Sequence, residues 1–459
     1  MKQNQTLLKD RPFIRWTVLV LLASMMFFAY MFVDVLSPLQ SLLQTNRGWT
    51  PENYGTFASS EYFLNVFALF LIFAGIILDK LGVRATALLS GVIMVVGASI
   101  KYYAVSPAFT GSGLETMLSS WWTSFPASAK LASLGFMIFG CGVEMAGITV
   151  SKGIVKWFNG KELALAMGIE MAIARLGVFA VFRISPRLAQ AFNNDVSAPV
   201  LFVLILLLIG FICFSVYFFF DKKLEKQIGE RGEEPEEPFK ISDIGILFTS
   251  RTFLIVAALC VLYYSAIFPF QKYAANMLEC RLSISSTEAS DIFSYFPIGA
   301  MILTPVLGAY LDRKGKGATM LMLGAILMIV CHLIFAITPA AYFTKGVAYS
   351  AIVILGVSFS LVPAALWPSV PKLVENRYLG SAYSVIFWIQ NIGLMLFPML
   401  IGWALAITNK GVTNPLEYDY TVPMLIFSSL GVLALLLSFW LKAEDRKRGY
   451  GLELPNIKK

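Results

Sequence analysis

The sequence predicts an all-α membrane protein: twelve transmembrane helices in two pseudo-symmetric six-helix bundles. Three observations carry that expectation. Hydrophobic residues make up 58% of the chain and charged residues 14%, where soluble domains carry about 25% charged residues. Apolar windows recur at the length a bilayer core demands, about 20 residues each. One short loop motif appears twice, at corresponding places in the two halves.

The windows run at 14–38, 52–78, 85–104, 131–155, 162–190 and 198–220, then at 252–278, 290–311, 318–338, 346–370, 379–407 and 421–441. Prolines within them (Pro186, Pro269, Pro297, Pro305, Pro363, Pro368, Pro398) are tolerated where neighbouring helices re-satisfy the backbone. The first window is too long for a signal-peptide core, and Arg11 and Arg15 precede it, so it reads as a retained helix.

Alternating the windows places both termini on one side. That side collects Lys2, Lys9, Arg11, Arg15, Lys80, Arg84, Lys156, Lys161, Lys222, Lys223, Lys226, Arg313, Lys314, Lys316, Lys372, Arg377, Lys442, Arg446, Lys447 and Arg448, against Arg47, Arg281, Lys345 and Lys410 opposite. Positive loops face the cytoplasm, so both termini are expected there. The net charge of +8 is then topology, and no nucleic-acid partner is expected. The five cysteines show no metal spacing and read as small packing residues, so neither metal nor cofactor is expected.

The one long charged connection contains the acidic run Glu230–Glu237. It divides the chain into an N-terminal bundle (1–221), a cytoplasmic linker (222–251), a C-terminal bundle (252–445) and a tail (446–459). The linker reads either as a solvated tether or as a regulatory contact.

The repeat is specific. Gly75-Ile-Ile-Leu-Asp79-Lys80-Leu-Gly82-Val-Arg84 ends the second window, and Gly308-Ala-Tyr-Leu-Asp312-Arg313-Lys-Gly315-Lys316 ends the eighth. Both follow Gly-x3-Asp-(Lys/Arg)-x-Gly, the mark of an internal duplication. Gly75 and Gly308 suit close helix approach, Asp79 and Asp312 suit a helix N-terminus or a base, and the basic residues suit the interface. This is similar to the loop signature of the major facilitator superfamily, which the chain resembles over its whole length. The resemblance implies two six-helix bundles rocking around a central site.

Three stretches resemble a nearer family, that of major facilitator superfamily domain-containing protein 1, the dipeptide transporters. They are Cys141-Gly-Val-Glu144 through Trp157-Phe-x-Gly-Lys161-Glu162 to Ala174-Arg175-Leu-Gly177; Tyr263-Tyr264-x-Ala-x-Phe268-Pro269-Phe270; and Leu366-Trp367-Pro368 with Leu379-Gly380-x-Ala382-Tyr383 and Ile389-Gln390-Asn391-Ile-Gly393. The resemblance implies that Glu144 takes a peptide's amine and Arg175 its carboxylate. Mammalian members carry an acidic dileucine signal, whereas Leu7-Leu8 here follows no acid. A bacterial cytoplasmic membrane is therefore expected, with a monomer and no accessory subunit.

Ionisable residues inside apolar windows need a partner, a water-filled cavity or a function. Glu144 and Arg175 sit mid-window, and read either as ligands for a zwitterion or as an ion pair locking two helices. Asp34, Glu61 and Arg183 read as a gate, a proton site or a solvated rim. Tyr263, Tyr264, Gln390 and Asn391 suit peptide-backbone contacts or interhelical packing. Trp367 and Trp388 suit a cavity wall or core, and Lys272 a second carboxylate anchor or a snorkelling base. Lys101 is expected to snorkel, and His332 to pack.

The function expected is secondary transport of short peptides, as uniport or coupled to protons. Transport of another small organic ion is the alternative, and a non-transporting sensor the third. No nucleotide-binding loop Gly-x4-Gly-Lys-(Ser/Thr) is present, which disfavours a primary pump, and no catalytic set is apparent.

Overall fold

The computed structural model describes residues 7–158, 161–229, 245, 247–375 and 379–455. Lys2, Arg377 and the acidic run 230–237 lie outside them.

The apolar windows become long helices. In order these are α1 Pro12–Asp34, α2 Gln40–Arg47, α3 Pro51–Ser60, α4 Phe63–Phe67, α5 Phe70–Val105, α6 Gly113–Ser119, α7 Ala127–Phe158, α8 Leu163–Ala191 and α9 Ser197–Gly229. They continue with α10 Arg251–Leu282, α11 Ser286–Lys314, α12 Gly317–Ile337, α13 Lys345–Leu373, α14 Leu379–Thr408 and α15 Thr421–Arg448. Their starts carry the expected caps: Thr50, Ser250, Ser285 and Thr344 each accept a bond from the amide three residues on. The helix α9 runs past the expected boundary at 221, because its end is held by polar contacts described below.

Among the described residues, eleven helical segments are long and apolar enough to cross a membrane. The second window supplies the twelfth crossing in pieces. It breaks at Glu61-Tyr62 and again at Ala68-Leu69, where Leu69 takes φ 50°. It then continues in α5 as far as Gly82, whose φ of 77° and ψ of 168° turn the chain into the third crossing. Gly315 has φ 72° at the corresponding place in the second repeat. The left-handed region favours glycine, so both repeats use their final glycine to turn.

Within the first half α5 packs on α7 and α9, and α1 on α8 and α9. Within the second, α12 packs on α13 and α15, and α10 on α14 and α15. The halves meet along two seams, α3 against α14 and α8 against α11. The described ends of the chain lie beside the helix ends that carry the loop charges, Leu8 against Gln227, Asp10 against Lys161 and Glu453 against Lys316, on what is called here the terminal face. Ile205, Ile209 and Ile212 on α9 are exposed, as a lipid-facing side requires.

Candidate functional site

Glu144 lies midway along α7 and Arg175 midway along α8, both half-buried. Neither forms a hydrogen bond or an ion pair with a described residue, so the interhelical lock is not made in this conformation. The Arg175 guanidinium reaches across to the second half. Its carbon lies 5.3 Å from the ring of Phe268 on α10 and 5.1 Å from that of Phe359 on α13. Tyr30 on α1 is within electrostatic reach of Glu144, Arg175, Glu61 and Glu170. Glu170, which also feels Arg175, escaped the sequence reading. It was visible as an acid inside an apolar window, about two turns beyond the polar Lys161-Glu162 that precede α8.

On the second half, Tyr264 stacks on Phe268 at 5.5 Å and accepts a hydrogen bond from Trp367 Nε1 at 3.1 Å. Gln390 accepts from the Cys260 thiol at 3.3 Å. Asn391 is 2% exposed, and its Nδ2 has no partner. Tyr263 points elsewhere: its hydroxyl donates to Leu321 O and contacts Ser438 Oγ. Neighbours on a helix are turned ~100° apart, so Tyr263 and Tyr264 do not share a face. Tyr263→Phe is accordingly expected to cost about 1 kcal/mol of stability with substrate affinity unchanged, checked by thermal unfolding and binding on one preparation.

The face opposite the termini is sealed. Lys272 on α10 lies 3.1 Å from Asp34 and 3.6 Å from Glu61, with all three buried. Gln271 donates to Asp34 as well, and Ser37 does so at 2.9 Å. Lys272 is thus already paired, not free as a second carboxylate anchor. Arg187 grips Asp291 of α11 with two bonds of 2.8 and 2.7 Å, and Arg183 lies 3.2 Å from the same acid. Trp388 donates to Val66 O across the halves at 3.1 Å, closing the seal rather than lining a wall. Backbone approach completes it. A Cβ on Gly55 would stand 2.5 Å from Pro398 O, and one on Gly402 2.5 Å from Pro51 O.

Lys101 does not snorkel. It is fully buried, because Phe32, Phe57 and Phe136 surround its side-chain nitrogen. His332 is packed, with Nε2 3.1 Å from Ala266 O.

The Major Facilitator Superfamily model matches residues 22–398 and 274–455. This chain belongs to that superfamily. It is 27% identical over 397 residues to the lysosomal dipeptide transporter MFSD1 of Danio rerio, covering 84% of this chain and 80% of that protein. The Gallus gallus and Mus musculus proteins of the same name are each 29% identical over 283 residues. Those matches cover 60% of this chain and only 62% and 59% of the relatives' length. Among solved structures, a bacterial homologue of the human lysosomal transporter Spinster, inward-facing and unoccupied, superposes with TM-score 0.71 at 14% identity, over 95% of this chain and 98% of that one. A D-xylose–proton symporter gives TM-score 0.69 at 13% identity, over 94% and 98%. At such identity the neighbours establish the fold alone. The chain is an integral multi-pass membrane protein of the superfamily.

The superfamily's duplicated loops sit on the terminal face. Asp79 is 2.6 Å from Lys152 on α7. Arg84 pairs with Glu225, and Lys156 lies 2.8 Å from Asp221 and 3.2 Å from Glu225, which anchors the end of α9. In the second repeat Asp312 is within electrostatic reach of Lys372. Gly75 and Gly308 have open space around them, so the close approach expected of them is not made here. The terminal-face ends stand apart instead. A cavity of ≈ 260 Å³ opens between the halves, lined by Gly75, Leu78, Asp79, Ile148, Lys152, Tyr383, Ser384 and Phe387. Outside the membrane, the Lys161 ammonium bonded to Asp10 holds that carboxyl below its usual range. The pair's contribution is therefore present above the ordinary carboxylate pKa and lost as the pH falls.

Proposed function

We propose that this chain is a secondary transporter of dipeptides, working by alternating access. The observation that carries the reading is the pair Glu144 and Arg175. One acid and one base lie half-buried in the same bundle, and neither is hydrogen-bonded to or paired with a described residue. Burying a charge without a partner is costly, so a ligand with complementary charges is favoured there. A zwitterion supplies both: its ammonium to Glu144, its carboxylate to the Arg175 fork.

The sealed far face and the parted terminal ends describe one extreme of the cycle. With the termini in the cytoplasm, as the loop charges indicate, it is the inward-open state, in a bacterial cytoplasmic membrane. Asp34, Glu61, Lys272, Arg183 and Asp291 then form the outer gate. Tyr264, Trp367, Gln390 and Asn391 supply the second half's contacts, none of which reads a particular side chain. The sequence relatives named as dipeptide transporters support the substrate class.

Dipeptide counterflow in proteoliposomes tests the reading, with and without a proton gradient. Exchange by the wild type supports it. Exchange of amino acids or simple carboxylates alone overturns the dipeptide assignment. Accumulation driven by the gradient indicates proton coupling, and equilibration alone indicates uniport. Lys272→Met is expected to weaken the gate, because the second half loses its ionic contact with two buried carboxylates. Increased solvent access to Asp34 and its neighbours, read by hydrogen exchange, checks it.

A further inference from the structure

We propose that Lys101 is the resident counter-charge of the far-face gate. When the halves part there and Lys272 withdraws with the second bundle, the Lys101 amine takes its place beside Asp34 and Glu61 and carries the positive charge there, so the gate opens without either carboxyl being protonated. The inference rests on the alternating-access reading above.

The Lys101 side-chain nitrogen has no described carboxylate beside it. Lys101 Nζ donates to Phe32 O at 3.2 Å, and no acid among the described residues lies within 4 Å of it. Its other neighbours are ring faces, with centroids 3.9 Å away at Phe136, 4.6 Å at Phe32 and 5.2 Å at Phe57. Such rings hold a cation only weakly compared with a carboxylate. A fully buried ammonium kept this way invites a second position.

That position is adjacent. The Lys272 ammonium lies over the same Phe136 ring, 5.5 Å from its centroid. One ring therefore separates Lys101 from the seat that Lys272 occupies between Asp34 and Glu61. Both acids are within electrostatic reach of Lys101 already.

Charge counting then decides what opening requires. The gate holds two acids, Asp34 and Glu61, and two bases, Lys101 and Lys272. Only Lys272 belongs to the second half. The other titratable groups facing the acids are Tyr54, whose hydroxyl donates to Lys272 O, and Tyr62, Tyr30 and Glu144, which supply no cation. Gln271 and Ser37 are neutral donors to Asp34. Once Lys272 leaves, Lys101 or a proton must offset the two carboxylates. With Lys101 present neither carboxyl needs the proton.

The test compares Lys101→Met with wild type in two readouts. The first is dipeptide counterflow against pH on the far side. The second is the distance between spin labels at Thr116 and Thr413, both exposed on the far face of opposite halves, in a chain whose five native cysteines are replaced. Wild type is expected to vary less than about threefold between roughly pH 5 and 8. Lys101→Met is expected to lose about tenfold or more relative to wild type once both carboxyls are ionised, with the long-distance population falling in parallel. The sign follows from the acids: below their pKa they are neutral and need no counter-charge. Lys101→Arg keeps the wild-type profile, and Lys101→Met combined with Glu61→Gln restores it by removing one negative charge. A Lys101→Met profile parallel to wild type overturns the proposal. So does a double variant that remains as pH-dependent, or as poorly folded, as the single one. If wild type exchanges no dipeptide, the substrate reading fails, while the label distances still decide the role of Lys101.

Discussion

Arg175→Ala is expected to weaken dipeptide exchange severely, without abolishing it, and to erase the preference for a free carboxylate. The guanidinium is half-buried on α8, unpaired with any described acid, and set against Phe268 and Phe359 of the other half. Removing one partner of a buried, hydrogen-bonded charge pair costs about 2–5 kcal/mol, or roughly 30-fold to several thousandfold in affinity. Arg175→Lys keeps the charge but loses the planar fork, so its loss should be intermediate. Glu144→Gln is the mirror experiment at the amine. Carboxyl-amidated and amino-acetylated dipeptides separate the roles. Wild type should reject both, Arg175→Ala should cease to distinguish the amide, and Glu144→Gln should cease to distinguish the acetyl. If each variant loses all peptides in proportion, the residues stabilise the bundle and hold no substrate.

Gly402→Leu is expected to keep the far face from closing. Its Cβ would stand 2.5 Å from Pro51 O and 3.1 Å from the Gly55 Cα, both backbone atoms that no rotamer change can move. The clash exists only while α3 and α14 are in contact, so the fold survives by populating the state in which they part. Overpacking costs about 1–3 kcal/mol where side chains can yield, and backbone contacts yield less. A shift of that size moves the conformational equilibrium roughly 5- to 150-fold. The expected signature is a long Thr116–Thr413 label distance, a thermal midpoint close to wild type and exchange reduced at least about tenfold. Gly55→Leu should do the same. An unchanged distance distribution would show that this crossing does not form the gate.

Hydropathy and loop charge were enough to read the all-α class, the long helices and the repeat, because these follow from local composition and bilayer thickness. Glu144 and Arg175 were equally legible, since an ionisable residue in an apolar run stands out without a structure. Partnership was another matter. Nothing local told that Lys272 belongs to Asp34 and Glu61 of the other half, over 200 positions away, or that Lys101 sits among three rings instead of reaching for water. Tyr263 and Tyr264 looked equivalent in sequence and face different surroundings, because rotation about the helix and the neighbour on each side are set by packing. The breaks in the second crossing were hidden for the same reason: at Glu61 the chain bends against Gly140 of α7, where a Cβ would come 1.9 Å from Glu61 O. The chain alone determined which residues must be buried in a membrane, and where each crossing runs. Which buried charges meet, and which face is closed, only the tertiary structure decided, because electrostatic pairing depends on distances between helices that sequence separation does not encode.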